Sequence, residues 1–194
     1  MSYNQSTPLL RWSRSLANKA WLDPAASFMT ARSSALFRSP KLEAVAHGAW
    51  LGHPFHPALT DLPIGFWTSA FMLDFLGGEG ANHSARRLIG WGNLAAVPTA
   101  VAGLADARQL DDKNRRVAVV HGALNAGGLL AYVLSWTARR RPYRKFAIAS
   151  SLVGATLLTV AGHLGGHMAF DAGDDQREAD GASSAPVLSD HSSG

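Results

Sequence analysis

Six side chains in the sequence have the chemistry to bind a metal ion or to relay protons. They border or interrupt apolar segments and are His53, His56, Asp61, His121, His163 and His167. Neutral imidazole binds haem iron, zinc and copper, and histidine also changes charge near neutral pH. Because ionisable groups are costly inside a membrane, such residues beside long apolar runs indicate a functional site.

Two of these histidines lie in residues 52–65, GHPFHPALTDLPIG, at the start of an apolar segment. Pro57 suits the first turn of a helix, where its missing N–H has no partner to lose. We therefore expect a helix to begin at this motif, with His56 just outside it. At roughly 3.6 residues per turn, Asp61 lies about one turn in.

Four apolar runs are long enough to be membrane-spanning helices. The predicted spans are residues 59–78, 88–105, 117–138 and 146–170. About 20 apolar residues cross a hydrocarbon core of roughly 30 Å. A soluble helical bundle is the alternative, but three of the runs carry no Asp, Glu, Lys or Arg, which favours the membrane. The predicted fold class is all-α, an integral membrane four-helix bundle with an amphipathic N-terminal segment.

The chain divides into one membrane domain and two flanking segments. Residues 1–43 combine Trp and Leu with basic neighbours, which predicts amphipathic helix lying on a membrane surface or packed on the protein's own body. Residues 44–171 form the four-helix domain. Residues 172–194 are acidic and then rich in Ser, Ala and Gly, which predicts a disordered tail.

Alternation of the spans brings chemically similar residues to one end of the bundle. The start of the first and third helices and the end of the second and fourth share a membrane face. That face holds the six residues named above together with Asp106 and Asn125. The opposite face holds only Asp74 and His83 as comparable groups, so the asymmetry predicts a histidine-rich site on one side.

Composition excludes several classes of site and partner. The 194 residues include no cysteine, which excludes disulfides, iron–sulfur clusters and thiolate zinc sites within this chain. The net charge of +4 comes from basic residues at the edges of apolar runs, a pattern that fits lipid headgroups rather than nucleic acid. Eight basic residues lie near the histidine end and seven near the other, so the positive-inside rule gives no orientation.

Two stretches resemble a known family of bacterial membrane proteins. Residues 51–67, LGHPFHPALTDLPIGFW, and residues 162–170, GHLGGHMAF, are similar to domain-of-unknown-function family 2231 (DUF2231). The resemblance covers roughly residues 45–173 and implies a four-helix integral membrane domain in the bacterial inner membrane. Relatives that look like fusions to Rieske-type iron–sulfur domains imply electron transfer and a Rieske-type redox partner. The family's last motif continues with an aromatic residue, a basic residue and glycine, whereas Phe170, Asp171 and Gly173 stand here.

The first functional hypothesis is a haem-b or metal-binding protein of electron transfer. Two histidines on different helices of a bundle can hold a haem between them. The expected axial pair is His121 and His163, with His56 as the alternate. A non-haem iron, copper or zinc site is the other version, and its candidate ligands are His53, His56, Asp61, His121, His163 and His167.

Two other classes of function remain open. A proton or ion transport subunit would use a relay made of Asp61, Asp74, His121, Asn125 and His163. Four short spans without an inverted repeat favour a homo-oligomer for such a carrier. A structural or assembly subunit would use the histidines for interhelical hydrogen bonds and the basic N-terminal segment to dock a partner. A classical enzyme is least favoured, because the chain has no phosphate-binding loop, no defensible Ser/His/Asp order and no cysteine nucleophile.

Overall fold

Four long antiparallel helices form the body of the protein, and three shorter ones precede them. The computed structural model describes residues 8–140 and 143–183. The α-helices within those ranges are α1 (Pro8–Ala17), α2 (Asp23–Leu36), α3 (Pro40–His47), α4 (Phe55–Leu76), α5 (Asn82–Asp106), α6 (Asp112–Ala138) and α7 (Arg144–Ser183). The predicted all-α class is confirmed, although the described residues hold seven α-helices rather than four.

Helix α4 begins two residues earlier than the proline pattern predicted. Pro54 is the residue before the helix, with an extended backbone, and Phe55 is the first helical residue. His56 therefore lies within the first turn instead of just outside it. Pro57 is tolerated there because the first-turn N–H groups lack intrahelical partners.

Three of the long helices have the length and apolar composition needed to cross a bilayer. They are the segments Asn82–Gln109, Asp112–Ala138 and Arg144–Ala169. Helix α4, which covers residues 59–76 of the predicted span 59–78, is not among them. It has Asp61, Asp74 and Pro63 within 22 residues, which lowers its hydropathy, but it packs along α5 as a fourth antiparallel helix.

The four long helices are arranged in chain order around the bundle. Helix α4 packs mainly on α5 and α6 mainly on α7, and the two pairs meet where α5 contacts α6 and α4 contacts α7. Helices α4 and α6 therefore lie on one diagonal and run in the same direction. Trp67 of α4 stacks on Tyr132 of α6 across that diagonal, with ring centroids 4.4 Å apart and planes 4° apart.

The N-terminal helices pack on the protein's own body at the histidine end. Leu16 of α1 lies in an apolar cluster with Val117 and Leu164 of the bundle. The Ser33 hydroxyl of α2 donates a hydrogen bond to the Leu104 carbonyl of α5 at 2.9 Å. Of the two arrangements left open for residues 1–43, the described part, residues 8–43, has the packed one, and residues 1–7 lie outside the described residues. Helix α3 crosses the predicted boundary at residue 43 and joins this layer to α4.

Helix α7 continues past residue 171, the predicted end of the membrane domain. It extends to Ser183, into the segment for which a disordered tail was predicted. Gln176, Arg177, Glu178 and Ala179 are good helix formers, which explains why the helix continues beyond the last apolar turn. Residues 184–194 lie outside the described residues.

Candidate functional site

His56 is held against the neighbouring helix by its Nδ1 atom. Its Nδ1–H donates to the Thr99 carbonyl of α5 at 2.9 Å. Gly103, one turn further along α5, lies beside the ring, and a Cβ atom there would be 2.9 Å from the His56 Cε1 atom. The ring reaches the Thr99 carbonyl because residue 103 has no side chain.

His121 is held in the same way by α7. Its Nδ1–H donates to the Ala161 carbonyl at 2.8 Å. Gly165 lies one turn beyond Ala161, and a Cβ atom there would be 3.0 Å from the His121 Cε1 atom. The Asn125 amide also donates to the His121 Nε2 atom at 3.1 Å, as its i+4 spacing on α6 allows.

The two imidazoles face each other across the bundle. Their ring centroids are 6.4 Å apart, with the planes at 82°. A carbonyl oxygen only accepts hydrogen bonds, so each Nδ1 carries a proton and each neutral ring has its lone pair on Nε2. A backbone carbonyl on one nitrogen that leaves the other as the donor atom is the usual support of a metal-binding histidine.

The other predicted site residues are not gathered at this pair. His53 and Asp61 are exposed, and the His53 ring makes a hydrogen bond to the adjacent Pro54 carbonyl, at 3.1 Å. His163 is two residues from both Ala161 and Gly165, so at about 100° per residue it lies on the face of α7 opposite His121. Its Nε2 atom is buried and makes no hydrogen bond with the described residues. His167 is buried, with 8 % of its surface exposed.

The described residues therefore provide a pair of ligands and not a larger cluster. Within residues 8–140 and 143–183, no group of three or more His, Asp or Glu side chains is placed to hold one metal ion. Of the three residues expected to hold a cofactor, the structure brings together His56 and His121.

A second histidine contact at the same end was not predicted from the sequence. His47, the last residue of α3, has its Nδ1 atom 2.6 Å from the Asp106 carboxylate at the end of α5. Glu43 pairs with Arg108 beside it at 2.9 Å. The 59 residues between His47 and Asp106 hid this pairing, because nothing in the sequence indicated that α3 would fold back on α5.

The opposite end of the bundle is held by a buried ion pair. The Arg139 guanidinium makes two hydrogen bonds to the Asp74 carboxylate, one of them 2.8 Å long, and both side chains are almost fully buried. Arg139 also donates to the Asn82 side chain at 3.1 Å, and Arg144 donates to the Asp74 carbonyl at 3.0 Å. From the sequence, Asp74 was a possible relay group, and its arginine partner was not predicted.

Comparison with known proteins gives one match. No curated protein and no solved structure matches the chain significantly. The sequence profile of the family described as "Predicted membrane protein (DUF2231)" matches residues 52–175, which include α4 to α6 and the apolar part of α7. This match covers more than half of the chain and confirms the resemblance seen in the histidine motifs. The chain belongs to the DUF2231 family of predicted membrane proteins.

Proposed function

We propose that this membrane protein binds haem b between His56 and His121 and takes part in electron transfer. The observation that carries the proposal is the matched support of the two rings. Each Nδ1–H is fixed on a carbonyl of a neighbouring helix, which leaves Nε2 as the atom that would bind a ligand. At His121 the ligand would replace the hydrogen bond that Nε2 accepts from the Asn125 amide at 3.1 Å. When bound, the haem iron would supply one-electron chemistry by changing between the ferric and ferrous states.

The separation of the rings suits a group held between them. His56 and His121 would hold the haem iron through their Nε2 atoms, one from each helix of the diagonal pair. The His56 and His121 centroids are 6.4 Å apart. They come from diagonal helices of a bundle, which is where bundle proteins build cofactor sites.

Haem is favoured over a non-haem metal by the number of available ligands. A zinc or non-haem iron site needs three or more protein ligands. In haem, the porphyrin supplies four ligand atoms to the iron, and the protein needs to supply only two. The described residues offer two well-placed imidazoles and no group of three. Iron, copper or zinc at the same pair is the alternative that the first experiment separates.

The experiment is an oxidised-minus-reduced visible spectrum with elemental analysis, on protein purified in mild detergent. We expect a Soret band that sharpens and shifts on reduction. His56→Ala and His121→Ala should each abolish the six-coordinate spectrum, and His163→Ala, on the opposite face of α7, should keep it. Stoichiometric copper, zinc or iron without haem bands would replace haem by a metal ion. Folded protein with neither would overturn the proposal.

A structural function is the second candidate, and the same two hydrogen bonds favour it. Each ties one helix to its neighbour, so the histidines would stabilise the bundle without any ligand. His121→Asn separates the two functions, because the Asn amide replaces the Nδ1–H donor but offers no Nε2 atom. A structural histidine predicts a Tm near wild type for this variant and a lower Tm for His121→Ala. A haem ligand predicts loss of the haem spectrum in both.

We also propose the inner membrane of a bacterium as the location and a Rieske-type protein as a redox partner. The location is supported by the family and by helices rather than strands in the described residues. The Rieske-type partner rests on the resemblance to relatives that look like fusions to Rieske-type domains. It requires a redox-active group in this chain, so a haem-free and metal-free protein in the spectral experiment would overturn it. Association of two copies of the chain stays a prediction, to be measured by light scattering in detergent.

A further inference from the structure

The buried positions of α4 recur in α6 at a constant separation. Helix α4 buries four residues, Pro63, Trp67, Ala70 and Asp74. The residues 65 positions later are Gly128, Tyr132, Ser135 and Arg139, and each of them is buried too. The residue types differ at every one of these positions, so the correspondence lies in the pattern of burial and not in sequence identity.

Helices α5 and α7 correspond in the same way, with a separation of 62 residues. The buried residues of α5 are Ala85, Ile89, Gly92, Thr99, Ala102 and Ala105. Their counterparts in α7 are Ala147, Ser151, Gly154, Ala161, Leu164 and His167, all of them buried. Six matches out of six over 21 residues of helix indicate that α5 and α7 pack in one register.

The two histidines and the groups that hold their rings show the same separations of 65 and 62 residues. His56 and His121 are 65 residues apart, and their carbonyl partners, Thr99 and Ala161, are 62 apart. The glycines that admit the rings, Gly103 and Gly165, are also 62 apart. The α4–α5 and α6–α7 hairpins therefore each hold one histidine ring in the same way, with a carbonyl and a glycine of their own second helix.

Equivalent residues of α4 and α6 meet each other across the diagonal at three levels. His56 faces His121, Trp67 stacks on Tyr132, and Asp74 pairs with Arg139. Contact between equivalent residues of two parallel helices occurs when a two-fold axis runs between them. Parallel repeats about an axis along the membrane normal are known in transporters, whose substrate and coupling-ion sites lie at the interface of the repeats.

We infer that α4–α5 and α6–α7 are two copies of one helical hairpin about such an axis, and that a single haem is shared by the two copies on it. The shared haem rests on the proposed function, whereas the repeat rests on burial and contacts alone. Each copy supplies one imidazole that it positions itself. One chain therefore holds one haem, and loss of either histidine removes the same site.

The Asp74–Arg139 network, at the end of the bundle opposite the histidines, allows the repeat to be tested without a ligand. Asn82 and Arg144, which join the Asp74–Arg139 network, are 62 residues apart and so are equivalent as well. Exchanging both pairs gives the variant Asp74→Arg/Asn82→Arg/Arg139→Asp/Arg144→Asn. If the hairpins are equivalent, this variant rebuilds the network with the two halves interchanged.

The measurement is thermal unfolding of the full chain in detergent. Asp74→Arg and Arg139→Asp each place two like charges together in a buried site and should lower the Tm by about 10 °C or prevent folding. The fourfold exchange should recover at least half of that loss. An exchange variant that melts as low as the single variants would overturn the repeat. A milder exchange, Trp67→Tyr/Tyr132→Trp, should stay within about 5 °C of wild type, whereas Trp67→Ala should not.

The shared site is tested separately by titrating ferric haem b into the purified protein. The expected stoichiometry is one haem per chain, with His56→Asn and His121→Asn each losing the six-coordinate spectrum. Two haems per chain, or an unchanged spectrum in either variant, would overturn sharing. Absence of any haem binding in folded wild type would overturn the proposed function and the shared haem, while the exchange variants would still decide the repeat.

Discussion

Two glycines decide whether the histidine rings can reach their carbonyl partners. A Cβ atom at Gly103 or Gly165 would lie 2.9 or 3.0 Å from a ring carbon, which is closer than an unstrained contact. The ring would have to move, and the Nδ1–H bond would lengthen. These glycines are therefore part of the site, although they carry no chemistry of their own.

Gly103→Ala and Gly165→Ala should each destabilise the protein by about 1–2 kcal/mol, since overpacking outweighs the gain in helix propensity. Gly162→Ala is the matched control on α7, because Gly162 is exposed and a Cβ atom there meets nothing within 4 Å. The control should be neutral or slightly stabilising. Chemical unfolding in detergent measures all three. Equal stability of Gly165→Ala and Gly162→Ala would mean that the His121 ring does not lie against Gly165 in the folded protein.

Some of the individual residues of the site could be predicted from the sequence, and others could not. His56 and His121 could be found because each stands at or inside an apolar run. His163 was selected on the same criterion, and its position on the far face of α7 depends on the rotation of that helix, which apolar runs without a polar stripe do not reveal. His47 was missed because its importance comes from Asp106, which the fold brings to it.

Among the elements, Arg116 connects the N-terminal helices to the bundle. Its guanidinium makes two hydrogen bonds to the Asp23 carboxylate of α2, at 2.6 and 3.1 Å, and a third to the Ala17 carbonyl at the end of α1, at 3.0 Å. One side chain of α6 therefore fixes the position of two helices that lie over the histidine end.

Arg116→Gln should loosen α1 and α2 while leaving the four long helices intact. A partly exposed ion pair stabilises only modestly, so opening of the segment should become roughly fivefold more frequent. Hydrogen exchange of residues 8–36, followed by mass spectrometry, measures this. Lys113→Gln, an exposed neighbour on the same helix, is the control. Unchanged protection in Arg116→Gln would show that apolar packing around Leu16 suffices.

The approximate positions of the long helices follow from length and hydropathy and were predicted. The correspondence between residues of different helices was not predicted. The four long helices were expected at approximately their observed positions. The repeat was not, because equivalent positions such as Pro63 and Gly128, or Asp74 and Arg139, hold unlike residues. Their burial and their contacts across the diagonal show the equivalence, and both depend on which face of each helix meets its neighbours.

For the whole molecule, the distribution of basic residues gives an orientation that the sequence count did not. The connection between α5 and α6 and its flanks carry four, Arg108, Lys113, Arg115 and Arg116, and three of these form ion pairs with acidic side chains. The sequence at the other end carries seven, Arg86, Arg87, Arg139, Arg140, Arg141, Arg144 and Lys145, of which Arg139 is paired with Asp74. The other basic residues of the histidine end that precede the long helices lie in or beside α1 to α3 and are Arg11, Arg14, Lys19, Arg32, Arg38 and Lys41.

At the arginine-rich end, Arg86 and Arg140 lie over the Trp136 ring, each 4.7 Å from its centroid. A tryptophan flanked by arginines is typical of the boundary between lipid tails and headgroups. Because short connections rich in Lys and Arg stay on the cytoplasmic side, this end should face the cytoplasm. The histidine pair and the N-terminal helices would then face outward, where a Rieske-type partner could reach them.

The absence of cysteine makes this orientation directly measurable. Lys113→Cys and Lys145→Cys place one thiol at an exposed position on each end and remove the same charge. In intact spheroplasts of a bacterial host, a membrane-impermeant maleimide should label Lys113→Cys and spare Lys145→Cys, and permeabilised cells should label both. Labelling of Lys145→Cys alone in intact spheroplasts would reverse the orientation and place the histidine pair on the cytoplasmic side, where its redox partner would have to be a cytoplasmic protein.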